Sequence, residues 1–219
     1  MSVTASEKKH AKKVFDLLSK IYPAVKPALE YSSAFELLIS TILSAQCTDE
    51  RVNIVTKDLF KKYKKPADYV KAPSKVLEKD IFSTGFYRQK AKSLKNCCAM
   101  LIEKYNGKVP ADFDELVKLP GVGRKTASVV AGNAFGIPAI AVDTHVRRLS
   151  NLLGFIKSQD VEKIESRLKE LLPESYWINS SHWLATHGRI TCVANRPKCL
   201  ECVLADVCPS FNPDTKKSV

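Results

Sequence analysis

Apolar residues recur every three to four positions through nearly every stretch of this chain, among them AKKVFDLLSKIYP, AFELLISTILSAQ, VNIVTKDLFKKY, AKSLKNCCAMLIEKY and VEKIESRLKELLP. That period gathers them on one face of an α-helix and gives a strand no consistent side to bury. The separators are short and hold Pro, Gly, Ser or Asp, residues that stop one helix and cap the next. Thr48 or Asp49 ahead of ERVNIV, Ser74 ahead of KVLEKD and Asp114 ahead of ELVKL are the candidate caps. No pair of alternating segments competes, although IPAIAV suits a few extended residues. The chain is therefore expected to be all-α, with roughly ten short helices at ordinary helix and connection lengths. With 219 residues, 45% of them hydrophobic, it has the apolar surface for one or two cores.

Thirty-five Lys and Arg against 23 Asp and Glu leave a formal charge of +12. The basic residues recur from Lys8 to Lys217, so the excess belongs to the body of the protein and fits a polyanionic partner. No apolar run of about eighteen residues is present, so no bilayer-spanning helix and no membrane partner are expected. The opening MSVTASEKKHAKKVFDLL lacks an apolar h-region and a small-residue cleavage site and carries Glu7. It does not read as a signal peptide, and an intracellular, cytoplasmic setting is expected. Seven cysteines in such a setting are buried, reactive or metal-bound thiols rather than a disulfide framework.

Within FDELVKLPGVGRKTASVV an amphipathic start gives way to Pro120, Gly121, Val122 and Gly123, and then to a second helical run from about Arg124. This is the outline of two helices joined by a glycine hairpin. Gly121 and Gly123 can take positive φ and carry no Cβ, so their backbone N–H groups can approach another surface closely, and Val122 between them is counted with the DNA-binding turn. N–H groups at a helix start form an anion site, and with this charge the anion is expected to be a DNA phosphate, with Arg124 beside it. An ordinary turn between helices has the same outline. Lys125 falls in the first helical turn, where the positive end of the helix dipole and Arg124 both favour its uncharged amine, the nucleophilic form. A lysine there can equally do no more than pair with phosphate. Asp143, eighteen residues on, precedes THVRRL and suits the N-cap of a further helix. Capping bonds would keep its carboxylate ionised and fixed, so a cap and a catalytic carboxylate are compatible.

CVANRPKCLECVLADVC sets Cys192, Cys199, Cys202 and Cys208 in a C-x6-C-x2-C-x5-C pattern, four soft ligands within seventeen residues. They can close round one metal centre and tie down a loop with little core of its own. Zinc and an iron-sulfur cluster both accept four thiolates; the spacing departs from paired C-x2-C knuckles, which weighs against zinc, and unliganded buried thiols are the third option. Arg196 and Lys198, in the loop between the first two cysteines, can meet phosphates or be solvated surface charges. Cys47, Cys97, Cys98, His145, His182 and His187 are read as packing or local hydrogen bonding.

Taken together, LPGVGRKTA, VDTHV and HGRITCVANRPKCLECVLADVC resemble the endonuclease III family, bifunctional DNA glycosylases of the helix-hairpin-helix superfamily, and the likeness covers nearly the whole chain. The resemblance implies two helical domains with a DNA cleft between them: a six-helix barrel with the hairpin over 23–133, and a cluster domain over 134–219 that takes in the N-terminal helix, 1–22. It implies that Lys125 is the Schiff-base nucleophile, that Asp143 is the essential carboxylate, and that Cys192, Cys199, Cys202 and Cys208 hold a [4Fe–4S] cluster. LLISTILSAQCTDERVN resembles the segment whose glutamine, here Gln46, enters the space left by an extruded nucleotide. STGFYRQKAKSL resembles the segment whose apolar wedge parts the bases opposite the lesion; the family often has leucine there and this chain has Phe86, a change in size that bears on opposite-base preference. Without the family, Gln46 reads as a polar helix end and Phe86 as a core aromatic. The implied partner is duplex DNA carrying an oxidised pyrimidine or an abasic site, met by a monomer at the nucleoid. A monofunctional mismatch glycosylase is the alternative, but such relatives lack lysine at position 125. A non-catalytic DNA-binding module with zinc would make the register of Lys125 and Asp143 a coincidence.

Overall fold

The computed structural model describes residues 3–213 apart from 24 and 26. Every regular element among them is helical, which makes eleven α-helices and three single-turn 3₁₀ helices where about ten helices were expected. The α-helices are α1 (Ala5–Ile21), α2 (Ala34–Leu43), α3 (Asp49–Lys62), α4 (Pro66–Lys71), α5 (Ser74–Asp80), α6 (Tyr87–Tyr105), α7 (Phe113–Val117), α8 (Arg124–Phe135), α9 (Thr144–Leu152), α10 (Val161–Leu171) and α11 (Glu174–Ile190). None of the described helices is long and apolar enough to cross a membrane. IPAIAV forms neither helix nor strand, and the Ala141 N–H within it donates to Ser181 Oγ at 2.9 Å.

Helix starts follow side-chain chemistry, with two corrections. Thr48 caps α3 by accepting from the Arg51 N–H at 3.3 Å. Asp112, not Asp114, caps α7, because its carboxylate accepts from the Glu115 N–H at 3.0 Å. Ser74 lies inside α5 rather than ahead of it; the helix begins a residue earlier, where the Pro73 carbonyl accepts from Val76 and Leu77.

The chain divides into two compact units, Pro27–Ile137 and the pair Met1–Lys26 with Pro138–Val219. A boundary after 133 would cut α8. That helix runs on to Gly136, which takes φ +67° as the Ile137 N–H reaches the Ala131 carbonyl at 3.0 Å, a left-handed close that glycine tolerates without steric cost.

The Pro27–Ile137 unit holds α2 to α8. Its centre is α2, every residue of which is buried from Leu37 to Leu43. A helix that is apolar all round must be surrounded, and α3, α6 and α8 pack against it. From α6 come Ala91, Leu94, Cys97, Cys98 and Leu101, and from α8 come Ala127, Val130 and Ala131. Burial pushes the Cys97 thiol up to about 12, so this side chain behaves as a small apolar group.

The other unit joins α1 to α9, α10 and α11 through a core of Val14, Phe15, Leu18, Val146, Leu149, Leu168 and Leu184. Phe15 stacks on Phe155 with ring centroids 5.6 Å apart and also meets Trp183, whose indole N–H donates to the Tyr22 carbonyl at 3.1 Å. Thr4 and Glu7 close a capping box at the start of α1, and Glu7 also pairs with Arg167 of α10. Phe15→Ala is expected to destabilise the protein by about 3–5 kcal/mol in denaturant titration, the cost of a large cavity in a filled core; a change below about 1 kcal/mol would show that α1 is not part of this core.

Candidate functional site

The hairpin between α7 and α8 is fixed from below and open above. Leu119 and Val122 are buried, and the turn is tied by Leu119 N–H to the Leu116 carbonyl at 3.1 Å and Val122 N–H to the Leu119 carbonyl at 3.0 Å. The Val122 side chain therefore anchors the turn instead of facing outward. Only one of the two glycines needs to be glycine for conformational reasons. Gly121 sits at φ +83°, and a Cβ there would come within 2.8 Å of Ser93 Cβ on α6 and 3.6 Å of Ile42 on α2. Gly123 has φ −93° and ψ 176°, ordinary extended backbone, with open space around a Cβ. As the N-cap of α8 it provides no side-chain cap, so the first N–H groups of that helix have no capping oxygen from it, a setting suited to an anion. Arg124 follows, its guanidinium 5.2 Å from the Phe113 ring centroid across the hairpin. Lys125 is the second residue of α8 and is exposed, and no acidic side chain lies in that first turn.

Gln46 and Phe86 share an unusual backbone. Among the described non-glycine residues only Gln46, Phe86 and Asn106 have positive φ, at 52°, 47° and 52°. A glutamine or phenylalanine in the left-handed region is strained by steric contact with its own Cβ, and such residues persist only where the surroundings impose them. Gln46 lies exposed in the turn after α2; Phe86 stands as the N-cap of α6, offering no capping bond, with 64% of its surface exposed. It is thus not a core aromatic. Phe82, four residues earlier and 62% exposed, rests on Tyr87 with centroids 4.8 Å apart and puts a second apolar ring in the same segment.

In the other unit, Asp143 caps α9, its Oδ1 accepting from the Val146 N–H at 2.8 Å. His145 and His182 stand in its electrostatic surroundings. Burial lowers the pKa of each, and the Asp143 charge pulls against it.

Cys192, Cys199, Cys202 and Cys208 line one cavity of about 270 Å³, together with Leu149, Leu152 and Leu204. Burial pushes the thiols of Cys192, Cys202 and Cys208 up, and the neighbouring cysteines add to that. No three His, Cys, Asp or Glu side chains among the described residues come together as a single metal ion would need. The volume is several times that of one water molecule, about 30 Å³, and four soft sulfur donors share it with His187, whose Nε2 lies 3.4 Å from Cys202 Sγ, so the lining fits a multi-atom metal–sulfur group with a ring nitrogen beside one thiolate. Arg148 braces the same loop, its guanidinium donating to the Gly188 carbonyl at 3.0 Å and to that of Cys192 at 2.5 Å. Arg196 and Lys198 are exposed on it. Sequence reasoning passed over Phe82 and Lys90. Lys90 was visible in principle, since it stands in helical register with Leu94, Cys97 and Leu101 on the buried face of α6.

Residues 39–174 match the family model described as HhH-GPD superfamily base excision DNA repair protein. Endonuclease III of Bacillus subtilis (strain 168) is 48% identical over 205 residues, covering 93% of this chain and 94% of the relative. A solved endonuclease III–DNA covalent intermediate, trapped as an estranged-adenine complex, matches with a TM-score of 0.90 and 49% identity over 93% of this chain and 96% of that one. A thermostable thymine-DNA glycosylase matches with a TM-score of 0.85 and 26% identity, over 93% of this chain and 97% of that one.

The two hairpin glycines are expected to differ in their tolerance of a methyl group. Gly121→Ala combines a left-handed strain of about 1–2 kcal/mol with an overpacking cost of about 1–3 kcal/mol, whereas Gly123→Ala costs about 1 kcal/mol or less as a poorer N-cap. Chemical denaturation of both variants measures this, and equal losses would contradict the assigned backbone.

Proposed function

Because the chain belongs to the HhH-GPD superfamily of base excision DNA repair proteins, we propose that it removes oxidised pyrimidines from duplex DNA and cleaves the strand 3′ to the resulting abasic site, using Lys125 as a Schiff-base nucleophile. The observation that carries this is an exposed lysine set into the first turn of α8 directly behind the glycine hairpin. The chain is a base-excision-repair glycosylase and abasic-site lyase of endonuclease III type. Its lysine favours this over a monofunctional mismatch enzyme, whose chemistry ends at base release. It acts as a monomer on nucleoid DNA in the cytoplasm.

A damaged base inside a duplex cannot be reached, so the nucleotide is first extruded, at a cost lowered by weakened stacking at the lesion. The uncapped start of α8 and the hairpin backbone hold phosphate, with Arg124 beside them and with Arg196 and Lys198 supplying further positive charge. Gln46 fills the space the nucleotide leaves, and Phe86 wedges between bases on the opposite strand. The Lys125 amine then bonds to C1′ as the glycosidic bond breaks and its electron pair leaves with the base. Nitrogen's lone pair opens the sugar ring to give an iminium ion. That cation acidifies the C2′ proton, whose removal forms a carbon–carbon double bond and expels the 3′ phosphate. Asp143, oriented by the capping bond from the Val146 N–H, accepts the amine proton or offsets positive charge on the sugar as the base departs.

Cys192, Cys199, Cys202 and Cys208 would hold a [4Fe–4S] cluster. Its four iron–thiolate bonds would cross-link a loop whose only regular elements are single 3₁₀ turns, bracing Arg196 and Lys198. Protein purified anaerobically is expected to be brown, with broad visible absorbance and matched iron and sulfide. A colourless, zinc-loaded protein would remove the cluster from the account.

Borohydride is expected to trap the wild-type protein covalently on abasic duplex, and Lys125→Ala to abolish trapping while retaining DNA binding; trapping at the wild-type level in that variant would refute the role of Lys125. Asp143→Asn keeps a good cap and should leave stability within about 1 kcal/mol, yet slow base removal by roughly 100-fold or more. Wild-type turnover in Asp143→Asn would reduce the residue to a helix cap.

A further inference from the structure

Lys90 is a lysine where a lysine is costly. It is 5% exposed, and it lies in the first turn of α6, where the positive end of the helix dipole disfavours a cation. The requirements of α6 itself would be met by any apolar side chain on that face. Its ammonium instead donates two hydrogen bonds to elements outside the helix, one to the Leu43 carbonyl at 2.7 Å and one to the Thr84 carbonyl at 2.7 Å.

Both acceptors stand at the ends of elements that lead into the left-handed residues. Leu43 is the last residue of α2, whose C-terminal carbonyls lack helical partners and carry the negative end of the dipole. Three residues on is Gln46. Thr84 closes the 3₁₀ turn Phe82–Thr84, and Gly85 at φ +69° then leads directly to Phe86. The hydroxyl of Thr84 donates to the Ile81 carbonyl at 2.8 Å, so the turn is internally tied while the Thr84 carbonyl accepts from the lysine. One buried charge thus joins two segments that are about forty residues apart in sequence.

We propose that Lys90 is a positioning residue for nucleotide extrusion: by tying the Leu43 and Thr84 carbonyls to one ammonium, it holds Gln46 and Phe86 in a fixed mutual geometry so that both enter the duplex together. This rests on the roles given to Gln46 and Phe86 above. It also accounts for their backbone strain, because residues in the left-handed region need surroundings that impose that conformation, and the lysine is a shared constraint on both turns. Without it, the two carbonyls lose a charged donor, and the turns can shift independently. A displacement of about 1 Å at such a pair is enough to cost up to roughly 100-fold in rate.

The test compares borohydride trapping rates on an abasic duplex, which requires the gap to be filled, with those on an abasic single strand, which does not. Lys90→Met keeps the length and apolar stem but removes the donors. It is expected to lower the duplex-to-single-strand ratio by roughly 10- to 100-fold relative to wild type. Lys90→Gln, whose amide can reach one carbonyl but not both, is expected to fall between. Equal losses on both substrates, including loss through misfolding, would overturn the inference, because they mark a general structural role. So would a wild-type ratio in both Lys90 variants. The paired variants Gln46→Ala and Phe86→Ala separate this outcome from failure of the underlying roles. If they lower the ratio while Lys90→Met does not, only the positioning role fails; if they leave it unchanged, the roles of Gln46 and Phe86 fail first.

Discussion

Burial of α2 on every side is the constraint from which the geometry of the Pro27–Ile137 unit follows. Because seven successive residues from Leu37 to Leu43 are enclosed, the helices around them have little freedom to slide, and features attached to α2 inherit its rigidity. The hairpin is one of these, since Gly121 lies at contact distance from Ile42 of α2 while Ser93 of α6 leaves no room for a side chain there. The turn carrying Gln46 is another, being the direct continuation of α2. A side chain on an exposed helix start would wander on a loose scaffold; the helix that carries Lys125 packs on α2 through Ala127, Val130 and Ala131.

The Asp143 unit relies on a different device. Its core is assembled from both ends of the chain, and the cysteine loop contributes little apolar surface beyond Leu204. Local order there comes from hydrogen bonds that end on backbone, such as those from Arg148 to Gly188 and Cys192, and from the cap that Asp143 places on α9. Four thiols around a cavity with apolar walls are poorly solvated on their own, and coordination bonds would give the loop the cross-links that its side chains do not.

Much of this was legible before any coordinates. The period of apolar residues gave the helices, and Thr48 and Asp143 were recognisable as caps because each precedes a run of helical pattern. Asp112 was legible too, since Asp112 with Glu115 forms the pairing of a cap with an acidic third residue that Asp114 lacks. What sequence alone could not reveal was conformation imposed from outside the segment. Nothing in AQCT announces a left-handed glutamine, and Phe86 looks like any aromatic at the edge of a core until its backbone and exposure are seen. Gly123, judged by its neighbours, resembles Gly121, yet only the latter needs its missing Cβ. Lys90 stands in plain helical register with Leu94, Cys97 and Leu101 on the buried face of α6, but which carbonyls its ammonium meets is set by α2 and the 3₁₀ turn and not by its own segment.

The pairing of α1 with helices made more than a hundred residues later also sets an order of assembly. Pro27–Ile137 is contiguous, so it can close its core while the rest of the polypeptide is still being synthesised. Phe15 must wait for Phe155 and Trp183 to leave the ribosome before it has anything to stack on. The nascent protein can therefore complete the Pro27–Ile137 core first, while α1 keeps its apolar face uncovered until α9, α10 and α11 emerge.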